Sequence, residues 1–206
     1  MQINIDKKSG IFIAIIAALL IIIVSISGRS GDGLFGMHHN DSEMMDENKS
    51  SDMGSLSGAD IMFLQMMIPH HQQAVEISDL ALTKSTDPEL RALAQAIRDG
   101  QAAEIITMKA WLSGAKTSQE MGHSMGDSMG GMLSESDLAQ LKTASGKEFD
   151  LLWLSGMTDH HDGAIHMTTM IQDASNTQIK SFGQAIVSAQ SAQLKQMAAM
   201  LKRIGK

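Results

Sequence analysis

Two stretches of this chain repeat each other without a gap, and each ends in adjacent histidines. Asp60-Ile-Met-Phe-Leu-Gln-Met-Met-Ile-Pro-His70-His71 aligns with Asp150-Leu-Leu-Trp-Leu-Ser-Gly-Met-Thr-Asp-His160-His161. Beyond the histidines, Gln-Gln-Ala-Val-Glu76-Ile aligns with Asp-Gly-Ala-Ile-His166-Met. Farther on, Gln101-x-x-Glu104-x-x-x-Met108 aligns with Gln190-x-x-Gln193-x-x-x-Met197. Each unit has the pattern of a helix pair, and two pairs suffice to close a bundle around one core, whereas a solenoid needs more repeats. The expected fold is all-α: a four-helix bundle over 58–206, with repeats 58–113 and 134–203 joined by a Met-rich loop, 114–133.

The boundaries can be placed from local chemistry. Asp60 can cap a first helix running to about Leu82, with Pro69 expected to kink or unwind it. Asp87-Pro88 joins a cap to a proline at the first helical position and opens a helix to about Leu112, ended by Gly114. Ser134-x-x-Asp137 resembles a capping box. A long helix is expected from about Lys147 to Asp173, and Asn176 should cap a last one reaching about Arg203.

The chemistry of the repeat lies in its helical rows. Residues four apart share a helix face, so Met66 stacks with His70, Met67 with His71 and Met157 with His161, while Asp162, His166 and Met170 form a further row. Met167 and Glu76 add a thioether and a carboxylate. These rows are expected to point inward as metal ligands. Gln101, Glu104 and Met108, with Trp111 near the same stripe, and Gln190, Gln193 and Met197 opposite, are expected to orient the histidines by hydrogen bonding or to make a plain helix–helix polar contact. Methionines and histidines in such rows can equally be core filler and satisfied core polars.

Composition decides which metal such a chain suits. It has 18 Met and no Cys, so methionine is the soft ligand left. Thioether with imidazole suits Cu(I), and imidazole alone also accommodates Cu(II). Met121-Gly-His123-Ser-Met125-Gly-Asp-Ser-Met129-Gly-Gly-Met132 is a Gly-rich polar stretch that no apolar core explains. Exposed thioethers risk oxidation, so a chain that clusters them around a histidine is expected to use them, here to capture or pass on copper to a transfer partner. Met37-His38-His39, Met44, Met45 and Met53 in the linker 29–57 repeat the theme.

Residues 1–28 carry a different signal. Ile11–Ser27 is almost wholly apolar and follows Lys7 and Lys8. At roughly 1.5 Å per residue it spans about 25 Å, the short end of what a bilayer needs. It reads as a signal anchor that holds the rest of the chain outside the cytoplasm, in the cell envelope or periplasm. Ser25-Ile26-Ser27-Gly28 also resembles a cleavage site, and cleavage would make the chain secreted. The formal charge of -7, without basic runs, argues against nucleic acid and is compatible with a cation.

Enzyme motifs are scarce. There is no phosphate loop, serine elbow or cysteine nucleophile. A carboxylate-bridged di-iron bundle uses Glu-x-x-His on two helices, and neither helical unit contains one. A metal oxidase acting on Fe(II) or Cu(I), and a metal-free envelope module using methionine as an adaptable surface, stand as alternatives to copper binding.

The motifs Met-Ile-Pro-His70-His71-Gln-Gln-Ala-Val-Glu76, Gln101-x-x-Glu104-x-x-x-Met108-x-x-Trp111-Leu112 and Phe149-Asp150 through Met157-x-x-His160-His161-x-Gly163-Ala164 resemble the bacterial domain-of-unknown-function 305 family over about Ser57 to Leu201. The resemblance implies a ferritin-like helical bundle and, as in some exported members, copper binding that supports copper resistance. Thr158-Asp159 stands where the family usually has Ile-Pro, Gln193 replaces its second Glu, and His166 stands at an often acidic position. The two half-sites are therefore expected to differ.

Overall fold

Ser57, rather than Asp60, caps the first helix. Its side chain accepts from the Asp60 amide at 3.2 Å, and the Asp60 carboxylate accepts from the Ser57 amide at 2.8 Å. This reciprocal pair satisfies two of the donors that a helix start leaves open. The helix it opens, α1 (Gly58–Lys84), belongs to a computed structural model that describes residues 55–120 and 130–206. The expected signal anchor, nearly all of the linker, and Met121, His123, Met125 and Met129 lie outside the described residues.

Asp87 caps α2 (Pro88–Gly114), accepting from the amides of Glu89 and Leu90. Ser134 and Asp137 form the capping box of a short α3 (Glu135–Thr143). α4 (Gly146–Met167) follows, and Asn176 caps α5 (Thr177–Ile204). Among the described residues these five helices and one 3₁₀ turn are the regular structure, with no strand. No helix among them is long and apolar enough to cross a membrane.

Two expectations about helix continuity are corrected. α1 runs unbroken through Pro69. Proline forfeits a single ladder bond there, while buried Phe63, Leu64, Met67 and Ile68 before it and His70, His71 and Ala74 after it hold both halves in the core. The long helix expected to reach Asp173 stops at Met167 and tightens into a 3₁₀ turn, Thr168–Ile171. The Thr168 and Thr169 hydroxyls donate to the Ile165 and His166 carbonyls, each at 2.7 Å. Hydroxyls that bond back in this way compete with the helical ladder.

α1 packs along α2 and α4 along α5; the pairs meet through α1 and α4, with a lighter contact between α2 and α5. The core is two apolar clusters. One gathers Ile77, Leu93, Ile97, Trp153, Leu154, Met157 and Met197 with their neighbours. The other gathers Phe63, Leu64, Met67, Met108, Ile171, Phe182 and Ile186 with theirs. The repeat maps one onto the other: Phe63 onto Trp153, Leu64 onto Leu154, Met67 onto Met157, Met108 onto Met197. Each fully buried side chain of this size adds about 1.5–3 kcal/mol of burial free energy. Trp153 also donates its indole N–H to the Ile77 carbonyl at 3.0 Å.

Candidate metal centre

On every long helix, the residues between the two clusters are polar. α1 contributes His70 and His71, α4 contributes His160 and His161, α2 contributes Gln101 and Glu104, and α5 contributes Gln190 and Gln193. All but the part-buried Gln193 are buried, and the four histidines are wholly so. The result is a polar layer between the two apolar clusters. Burying polar groups in this way is costly unless they are hydrogen-bonded.

Each imidazole has one partner. His71 Nε2 lies 2.7 Å from Glu104 Oε2, and His161 Nε2 lies 2.7 Å from Gln193 Oε1, the equivalent pair in the other repeat. His160 Nε2 donates to the His70 carbonyl at 2.9 Å, and His70 Nε2 donates to the Gly130 carbonyl at 3.2 Å. The His70 and His160 rings lie face to face, centroids 3.7 Å apart and planes 38° apart.

All four acceptors are oxygens, so each Nε2 carries the hydrogen, and in a neutral ring Nδ1 then presents a lone pair. None of the four Nδ1 atoms has a hydrogen-bond partner of good geometry and all are buried, although the Met157 carbonyl, one turn back, comes near enough to the His161 ring to pull its pKa upward. Burial also keeps His70, His160 and His161 neutral. It holds His70 down at about 3, helped by the neighbouring His71 and opposed by the Gly130 hydrogen bond. Burial holds His160 well below the ordinary histidine value, with His70 and His161 adding to the effect. His161 sits at about 4, again from burial first, with the Gln193 hydrogen bond pulling upward. A neutral imidazole whose far N–H is held by an oxygen is the state in which histidine ligates metals.

Two sequence expectations fail here. Glu76 is exposed and pairs with Lys142 at 3.0 Å on the surface. Asp162 and His166 are exposed and Met170 only part-buried, so that row faces outward. The reason is rotational: the inward stripe of α4 is taken by Met157, His160, His161, Ala164 and Met167, which leaves Asp162 and His166 on the far face.

The methionines divide. Met67, Met108 and Met167 are buried in one apolar cluster and Met157 and Met197 in the other, while Met66 is part-buried against the first. Met67 and Met157 each sit one turn before a buried histidine. Met132 lines a cavity of about 190 Å³ with Leu133, Asp137, Gln140 and Asp159. Glu104 and Gln193 hold the histidines as expected, whereas both amide atoms of Gln101 and of Gln190 are buried without partners. Among the described residues no group of three or more His, Asp and Glu side chains is placed to hold a metal ion. The donors on offer are therefore imidazole lone pairs with thioethers one turn away.

Sequence reasoning missed Gln73 and the Gly130 carbonyl, which close the outer side of this layer. The mismatch of Gln73 with Gly163 in the repeat was the available signal.

Comparison with known proteins places this arrangement. The family model described as "Domain of unknown function (DUF305)" matches residues 60–201. A DUF305 protein of Streptomyces coelicolor, described as secreted, is 31% identical with a TM-score of 0.67, covering 71% of this chain and 92% of its own. A DUF305 fragment from Deinococcus radiodurans is 28% identical with a TM-score of 0.68, covering 73% and 99%. CopM in its Cu(I)-bound form is 30% identical with a TM-score of 0.60, covering 70% and 96%. CopM also has Cu(II)-bound and silver-bound forms. No curated protein matches the chain. With more than half its length matched by the family model, the chain belongs to the DUF305 family.

Proposed function

We propose that this chain binds copper outside the cytoplasm, in buffering, chaperoning or resistance, with imidazole and thioether ligands. The observation that carries the reading is the buried layer of four histidines whose Nδ1 atoms lack a hydrogen-bond partner of good geometry. It is supported by the likeness to CopM, which takes Cu(I), Cu(II) and silver. Silver is a soft ion, as is Cu(I), and both suit thioether sulfur. His70, His71, His160 and His161 would supply imidazole donors, no three of them to one ion as they are placed here, with Met67 and Met157 nearest in sequence as sulfur donors. Met121, His123, Met125, Met129 and Met132 would capture it or hand it to a transfer partner. The apolar segment Ile11–Ser27 would tether the chain or direct its export.

Titration of the full chain with Cu(I) under reducing conditions, against a competing chelator, tests this. Tight binding is expected, and the double substitution His70→Ala with His160→Ala should weaken it at least about tenfold, the loss of one to two ligand contacts. Absence of tight binding in the wild type sinks the proposal. Oxygen consumption on adding Fe(II) or Cu(I) would instead favour the ferritin-like oxidase alternative.

A further inference from the structure

The repeat symmetry breaks on one side of the histidine layer, between α1 and α4. Gln73 on α1 and Gly163 on α4 occupy equivalent positions, as do Met66 and Gly156. The segment Gly130–Leu133 lies against three of them, Gln73, Gly163 and Gly156. Gln73 Nε2 donates to the Leu133 carbonyl at 3.0 Å, and the Leu133 amide donates to Gln73 Oε1 at 2.8 Å. On the α4 side the segment comes so close that a Cβ on Gly163 would stand 1.8 Å from the Gly130 carbonyl oxygen. Gly131 adopts φ +83°, where a Cβ would meet the Asp159 carbonyl oxygen at 2.1 Å. The Leu133 side chain rests on Gly156, where a Cβ would lie 3.0 Å from Leu133 Cδ2. One helix thus supplies a two-bond clamp and the other supplies room.

This segment reaches the His70–His160 stack at His70. The Gly130 carbonyl accepts from His70 Nε2, and Gly130 is exposed while both rings are wholly buried. On this side the exposed Gly130 touches the buried layer directly. It also fixes His70 with its hydrogen on Nε2, which leaves Nδ1 as the free lone pair.

We propose that Gly130–Leu133 is a latch over the histidine layer, that Gln73 holds it shut, and that metal reaches His70 and His160 through its release. Metal passage rests on the copper-binding reading above; the latch itself does not. Gln73→Ala in the full chain removes both clamp bonds without touching a proposed ligand. Without metal, Leu133 amide exchange and His70 modification by diethyl pyrocarbonate should each speed up about tenfold, the order expected for two lost hydrogen bonds. Gln73→Glu keeps the acceptor for the Leu133 amide and should fall between. Cu(I) uptake from a chelator complex should accelerate by a similar factor while equilibrium affinity changes little. Unchanged exchange and modification overturn the latch. Faster modification with unchanged uptake overturns the access route. A wild type that takes no Cu(I) overturns the copper reading and with it the passage of metal, while the modification rates still decide the latch.

Discussion

Mild acid should unfold the metal-free protein through its buried histidines. His70, His160 and His161 are buried and held neutral, His70 at about 3 and His161 at about 4. In the unfolded chain each titrates near 6.5. Below 6.5, and down to its folded value, each of these histidines is protonated in the unfolded state and neutral in the native one. The unfolded state therefore binds more protons, and stability rises with pH. The contribution is fully present above 6.5 and is lost as pH falls, down to about 4 for His161 and about 3 for His70. Within the window each histidine costs about 1.4 kcal/mol per pH unit. Allowing for the rounding near 6.5, that is about 2 kcal/mol each at pH 5, or about 6 kcal/mol for three. A domain has about 5–15 kcal/mol in total, so the metal-free protein should be close to unfolding there. Asp87 and Asp137, which hydrogen bonds hold below the ordinary aspartate value, lose their contribution only at lower pH. Urea unfolding followed by circular dichroism from pH 8 to 5 measures this, and the slope near pH 5 should report about three protons taken up. Stability that stays flat across that range would refute buried, neutral histidines.

Glu104→Ala should cost about 1–3 kcal/mol, because it leaves a buried His71 N–H without its acceptor; chemical denaturation at pH 7.5 reads this, and a loss below about 0.5 kcal/mol would show that water replaces the carboxylate. Met67→Leu and Met157→Leu should each cost less than about 1.5 kcal/mol, as volume-conserving core changes. If Cu(I) affinity nevertheless falls at preserved stability, these thioethers are ligands; unchanged affinity makes them packing.

Much of this was legible in the sequence because local chemistry decides it. Asp87-Pro88, Ser134 with Asp137, and Asn176 cap the helices they announce, since a short polar side chain beside an open amide needs no distant partner. The His–His pairs and the Gln-x-x-Glu stripe marked the polar layer because two repeats placed them at matching depths. Rotation was less legible. The row Asp162, His166, Met170 has sound helical spacing, yet spacing alone does not say which row faces inward, and Ala164 and Met167 take that face. The 3₁₀ turn depended on two threonine hydroxyls choosing backbone carbonyls over solvent. The strap over the layer depended on chain far away in sequence arriving beside Gln73 and Gly163, which no local pattern encodes.

The two halves differ in different ways in different places. In the apolar clusters the exchanges are of like for like: Phe63 against Trp153, Leu64 against Leu154, Met67 against Met157. Packing asks for volume and apolarity, and such swaps preserve both. In the polar layer and on its outer side the exchanges alter chemistry: Glu104 against Gln193, Gln73 against Gly163, a loop carbonyl against a helix carbonyl as the histidine acceptor. Glu104 gives the layer its carboxylate, so the His71 half attracts a cation more strongly than the His161 half, and a low local dielectric enlarges that difference. The strap then closes over His70, which adjoins His71 on the same helix. The carboxylate thus belongs to the α1–α2 half, while the latch bridges α1 and α4, clamped by Gln73 on one side and fitted against Gly156, Asp159 and Gly163 on the other.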